Sequence, residues 1–156
     1  MLTRAPIADI ERLLRPILVE AIKVTHYEKG NIQLVDGRAL SIVCQQGFDA
    51  AFLKAFERVD ADTECACGRA LKARDKIFIG DVENDERYEP YLPAARQAGY
   101  RSVLSHPIVT PDRQVLGVMS VHHKLVHPDP PPDIDHLSDF AAGLIARQSL
   151  VEIVSR

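Results

Sequence analysis

Two runs in which apolar residues alternate with others, Asn31–Val35 and Leu40–Cys44, flank Asp36-Gly37, and this spacing limits the fold more than any other feature of the chain. Asp-Gly supplies the positive φ angles of a tight hairpin, so the two runs pair antiparallel. A second pair obeys the same logic. Ser102–Val109 and Val115–His123 flank Thr110-Pro111-Asp112-Arg113, a turn sequence with Pro at its second position. Connections this short leave no room for a crossover helix, so neither pair is a βαβ unit.

Helical spacing surrounds the hairpins. Ile7, Ile10, Leu14, Ile17, Leu18 and Ala21 recur at helical intervals, with Pro6 suited to the first turn. Pro16 removes one backbone hydrogen bond inside that run and predicts a kink or two consecutive helices. Phe52, Leu53 and Phe56 suit a short helix within Phe48–Phe56, another runs from about Cys67 to Ala73, and a third, Leu92–Ala98, is stopped by Gly99. Ile77-Phe78-Ile79 reads as a strand, and Glu83–Tyr91, rich in charge and aromatic residues, as a loop. Pro128–Pro132 is a spacer before a last helix capped by Asp133, with Leu137, Phe140, Ala141, Leu144 and Ile145 on one apolar stripe. This order predicts an α+β domain with an antiparallel sheet flanked by helices. Leu150, Val151, Ile153 and Val154 extend the apolar content beyond what one small sheet covers, which points to packing against another subunit.

A length of 156 residues suits one domain that folds without disulfides or a structural metal. The 19 Lys plus Arg and 22 Asp plus Glu leave a net charge of -3. The basic residues are scattered singly, so no nucleic-acid partner is expected. No run approaches the roughly 20 apolar residues that cross a bilayer, and no signal peptide is legible, so the expectation is a cytoplasmic protein with no membrane partner. Cys44, Cys65 and Cys67 are an odd set and read as free thiols.

Gly47-Phe48 after the hairpin, Cys67-Gly68-Arg69-Ala70-Leu71, Ile79-Gly80-Asp81-Val82 and Leu116-Gly117-Val118-Met119-Ser120-Val121-His122, in this order, resemble the GAF domain family from roughly Tyr27 to Leu150. The resemblance divides the chain into an N-terminal helical segment (1–26), the domain with its C-terminal helix (27–150) and a helix end or tail (151–156). It implies a PAS-like central antiparallel sheet with helices on both sides. It also implies a non-catalytic sensory role, a histidine kinase or cyclase output, and a homodimer through the terminal helices. Relatives often hold a small molecule between the sheet and the segment corresponding to Cys65–Gly99, so an unknown small molecule is the expected partner, and no particular cofactor is implied. Tyr88, Tyr91 and Arg96 would face that pocket, and Arg96 could grip an anion through two parallel hydrogen bonds. Side chains alternate along a strand, so Ser120 and His122 share one face and Met119, Val121 and His123 the other, with Ser105 of the neighbouring strand joining the first set. Against these roles stand ordinary ones: a solvated Arg96, a His122 satisfied by backbone, and a Cys67 that fills core space.

Other chemistry stays open on narrower ground. Cys65 and Cys67 are too close for a usual structural zinc pair, and no second Cys or His pair completes four ligands. Cys67-Gly68 is similar to the Cys-Gly motif of GAF-type free methionine-(R)-sulfoxide reductases, which suggests a thiol-based reductase or a redox sensor using Cys67 with Cys65 or Cys44. Those enzymes also carry an attacking thiol in the following loop, and Asp81–Tyr100 contains no cysteine. Gly117–His123 and Pro93-Ala94-Ala95-Arg96 resemble in part the phytochrome GAF domain, which suggests a noncovalent chromophore, since no cysteine precedes a histidine for covalent attachment. The nucleophile elbow, the phosphate-binding glycine loop and the His-Glu-x-x-His helix are missing from the sequence.

Overall fold

Gly37 takes φ 67° at the first position of a two-residue turn, Gly37-Arg38, between the paired Asp36 and Ala39, so the glycine alone, and not Asp36, supplies a positive φ to the first hairpin. Around it, the computed structural model describes residues 7–154. The elements in chain order are α1 (Ile7–Thr25), β1 (Lys29–Asp36), β2 (Ala39–Gln46), α2 (Ala50–Ala55), β3 (Val59–Asp60), α3 (Ala66–Ala73), β4 (Ile77–Ile79), α4 (Leu92–Ala98), β5 (Ser102–Val109), β6 (Val115–His123) and α5 (Asp135–Val154). Pro6 lies outside the described residues, as do the side chains of Leu150, Val151, Ile153 and Val154.

One six-stranded sheet runs in the order β3-β2-β1-β6-β5-β4, and every neighbouring pair is antiparallel. The two hairpins lie side by side because β1 also pairs with β6, from Lys29 opposite His122 to Leu34 opposite Gly117. Helices α1 and α5 cover one face, where Leu14, Leu18, Ile32, Met119, Val121, Ile134 and Ala141 form a core. The other face carries α2, α3 and the segment leading into α4, packed through Phe52, Phe56, Val59, Ala70, Val82, Tyr88 and Val118. Each buried Val, Leu, Ile, Phe and Met side chain among these contributes on the order of 1.5–3 kcal/mol to folding.

Four details differ from the sequence expectations. Pro16 sits inside a single helix instead of dividing it. Its ring lies on the solvent face, while Leu14, Ile17 and Leu18 anchor the adjoining turns in the core. Phe140 is 61% exposed, not on the buried stripe. The buried face of α5 is centred on Ile134, Ser138 and Ala141, and at roughly 100° per residue Phe140 points about 120° away from it. Asp133 precedes the helix by one residue more than a cap would, and its carboxylate accepts from the Asp135 amide. Glu83–Tyr91 is not irregular throughout: it contains two 3-10 turns, Val82–Asn84 and Glu86–Tyr91.

The start of α5 is fastened to β5. Ser138 Oγ donates to the Pro107 carbonyl at 2.8 Å, and His106 Nε2 meets Asp135 Oδ1 at 2.5 Å. The His106 contact, with smaller help from Asp133 and Lys76, holds the Asp135 carboxyl down at about 2. A depressed carboxylate contributes stability above its unfolded value, about 3.9, that is lost as pH falls through the folded value. Asp135 is half exposed, so solvent screens much of this effect. Asp135→Asn should therefore flatten the acid limb of stability between about pH 4 and 2, read from urea midpoints, with a small change at neutral pH.

Candidate functional site

Ile32 of β1 faces α1 and α5, so its neighbours Asn31 and Gln33 face the opposite helices. Strand register then builds a polar row: Asn31 lies opposite Ser120, and Ser120 opposite Ser105. The two serine hydroxyls hydrogen-bond at 2.7 Å. One step along the strands, His122 lies opposite Val103. Phe52 of α2 and Phe56 just after it, Cys65, Ala66 and Cys67 at the start of α3, and Tyr88 and Tyr100 close the space above this row. What remains is a hollow of about 10 Å³, about the room that one ordered water needs.

The hollow is polar but carries no formal charge. Among the described residues no Asp, Glu, Lys or Arg lines it. Burial, with a lesser push from the Lys29 charge, lowers His122 to about 3, so its imidazole is neutral. Tyr88 and Tyr100 share a hydrogen bond of 2.5 Å between hydroxyls, and burial raises both phenols, which stay protonated. Among the described residues, Asn31 Oδ1, Gln33 Oε1 and His122 Nδ1 find no protein hydrogen-bond partner, although these residues are only 4%, 1% and 5% exposed. Three unsatisfied atoms on one small hollow are unusual, because leaving a buried polar group unpaired costs roughly 1–3 kcal/mol.

Aromatic rings form the lid. Phe48 stacks on Phe52 with centroids 3.7 Å apart, Phe52 packs on Phe56 at 4.6 Å, and both Phe48 and Phe52 meet the His122 ring edge-on. Lys29 ties this lid to α4, its ammonium 5.9 Å from the Phe48 ring centre and donating to the Ala98 carbonyl. Asp49 caps α2 by accepting from the Phe52 amide at 3.0 Å.

The opposite wall is set by α3. A Cβ on Gly68 would come within 2.0 Å of the Thr63 carbonyl oxygen, so only glycine lets this helix start where it does. Next to it Arg69, 8% exposed, donates both terminal nitrogens to Asp85 at 2.8 and 2.7 Å and Nε to the Glu64 carbonyl at 2.7 Å. Within the same turn Cys65 Sγ lies 3.4 Å from Cys67 Sγ.

Cys67, Tyr88, Ser105, Ser120 and His122 thus come together in one hollow. Tyr91 stands one layer behind, its ring against Phe56 and Tyr88 and its hydroxyl accepting from the Glu64 amide. Arg96 is a correction: its side chain is 61% exposed and bound through two nitrogens to Glu83 on the surface, so it holds no anion in the hollow. Cys44 is a second correction, since it packs in the core on the α1 and α5 side of the sheet and cannot meet Cys67. His123 points away from the hollow, stacks on Tyr27 and bonds Glu28 at 2.7 Å. Asn31, Gln33 and Tyr100 escaped the sequence reading.

Two other places bring functional groups together. A groove of about 340 Å³ beside β2 is bounded by Glu11 and Arg15, which bond each other, and Arg15 also donates to the Gln45 carbonyl. His106, Asp133 and Asp135 have ligand atoms within 4.8 Å of one another, but the Lys76 ammonium already stands 3.3 Å from Asp135.

The sheet order, helices on both faces and a hollow under the connecting segment agree with sequence comparison. The chain belongs to the GAF domain family, whose profile matches residues 9–148. Among solved structures, a domain assigned to a two-component sensor histidine kinase protein from Sinorhizobium meliloti 1021 matches with TM-score 0.68 at 14% identity, over 92% of this chain and 93% of that one. The GAF domain/HD domain protein from Geobacter sulfurreducens matches with TM-score 0.66 at 22% identity, over 92% of each. A type II free methionine-R-sulfoxide reductase from Thermoplasma acidophilum matches with TM-score 0.70 at 11% identity, over 90% of this chain and 95% of that one. At these identities the likeness is one of fold. No curated protein matches the sequence. Among the described residues no helix is long and apolar enough to cross a membrane.

Proposed function

We propose that this GAF domain is a non-catalytic sensory module that holds a small, uncharged polar molecule between Asn31, Gln33 and His122 below and the α2 aromatic residues above. The observation that carries the reading is the set of three buried atoms without protein partners among the described residues. An occupant with hydrogen-bond donors for Asn31 Oδ1 and Gln33 Oε1 would satisfy them, and the neutral lining disfavours an ion.

Anything larger than a water requires one of the walls over the sheet to move, so the empty and occupied forms differ in the position of that wall. A ligand biases such an equilibrium only through unequal affinity for the two forms. Strands β1 and β6 carry Asn31, Gln33 and His122 on one face and Ile32, Met119 and Val121 against α1 and α5 on the other. Occupancy would therefore be transmitted to the terminal helices, and through them to a kinase or cyclase output. Val19 on α1 and Phe140 on α5 are 42% and 61% exposed and suit a homodimer contact of those helices.

A thermal-shift panel of neutral amides, ureas and nucleobases tests the reading. A ligand present at 100 times its Kd should stabilise the protein by about 2.7 kcal/mol, and the shift should vanish in His122→Phe. Sulfoxide reduction is the second reading, favoured by the contact between Cys65 and Cys67. The segment from Asp81 to Tyr100 supplies no attacking thiol, so free methionine-R-sulfoxide with dithiothreitol should give no turnover; sustained turnover would replace the sensory reading.

A further inference from the structure

The thiols on the hollow have a geometry that ligand binding does not explain. Cys65 Sγ and Cys67 Sγ are 3.4 Å apart. A disulfide needs about 2.05 Å between sulfurs, so the two must draw closer before they join. Among the described residues no third His, Cys, Asp or Glu groups with them as a metal-ligand cluster, which removes a metal as the reason for their contact. Gln33, 1% exposed and with Oε1 unpartnered, lines the same hollow beside them.

We propose that Cys65 and Cys67 are an oxidisable dithiol, with Cys65 the attacking and Cys67 the resolving thiol. The two are unequal. Cys65 stands at the N-cap of α3, where its contact with Cys67, then the Gly68 and Cys65 amides and the Arg69 charge, shift it down against burial, whereas the same contact and burial shift Cys67 up. Its place at the start of α3 makes Cys65 the thiol that gives up its proton more readily.

The oxidant is a small hydroperoxide, ROOH. The Cys65 sulfur attacks the distal oxygen, the O–O bond breaks, and the departing alkoxide takes a proton to become ROH, leaving Cys65 as sulfenic acid. The Cys67 sulfur then attacks the Cys65 sulfur and displaces hydroxide, which leaves as water with the Cys67 proton. Two thiols lose two electrons in all, and one hydroperoxide becomes ROH and water. Cys65 and Cys67 are only 1% and 9% exposed, so the oxidant reaches them through the hollow, and hydrogen peroxide, small and uncharged, suits that route. The dithiol requires no bound occupant, so it stands or falls apart from the sensory reading.

The full chain is reduced, exposed to hydrogen peroxide, unfolded in alkylating reagent and mapped by mass spectrometry. The expected product has lost about 2 Da, contains a Cys65–Cys67 disulfide and carries one alkyl group, on Cys44. Cys44→Ser should oxidise like the wild type. In Cys67→Ser, dimedone should capture a sulfenic acid on Cys65; in Cys65→Ser, Cys67 should remain a thiol. Three alkylated thiols after peroxide, a disulfide that includes Cys44, or a sulfenic acid on Cys67 in Cys65→Ser would overturn the proposal. Wild type and Cys44→Ser suffice if the other two variants fail to fold.

Discussion

Arg69→Ala should lower the unfolding free energy by about 3 kcal/mol, the low end for breaking a buried ion pair, because Asp85 keeps some access to solvent. The guanidinium is the part of α3 that reaches across to the 3-10 segment, and through its hydrogen bonds it holds the Asp85 carboxyl below its usual range. Removing it leaves a carboxylate facing a void and frees the Glu64 carbonyl as well. Urea unfolding gives the magnitude, and hydrogen exchange gives the location: amides of α3 and of Val82–Tyr91 should lose protection before those of β1 and β6. A loss below about 1 kcal/mol would mean that this pair behaves like a surface salt bridge and does not hold the wall of the hollow.

Asn31→Leu should move stability the other way, by about 1–2 kcal/mol upward, although it alters a buried residue. Leucine reproduces the branched shape of asparagine, and the substitution removes an oxygen that is desolvated without a partner. Most core substitutions destabilise. A gain here would show that the native side chain is retained for something other than folding, and it should be accompanied by loss of every ligand-induced shift. A destabilised variant would mean that the amide has a structural role that its surroundings conceal.

Both hairpins were legible because turn chemistry is local: Asp36-Gly37 and Thr110-Pro111-Asp112-Arg113 state their geometry within a few residues. Strand alternation placed Ser120 and His122 on one face for the same reason. It could also have placed Asn31 and Gln33, since a sheet covered by helices on both sides has no solvent face, and polar residues alternating with Ile32 and Leu34 must then be buried. β3 was missed because two residues, paired only with Ala39 and Leu40, carry no period. Arg96 was misplaced because its partner Glu83 is 13 residues away, on a turn whose path no local pattern records. The Arg69–Asp85 clasp is equally non-local, spanning 16 residues. The sequence supplied the strand faces, while the walls above them depended on contacts between distant segments.

Native mass spectrometry of the freshly purified protein, compared with an Asn31→Leu and Gln33→Leu double variant, tests the occupied hollow most directly. The expected result is a discrete small-molecule adduct on the wild type, released on denaturation and missing from the double variant. A bare wild-type mass, together with no thermal shift from any neutral compound in the panel, would contradict it.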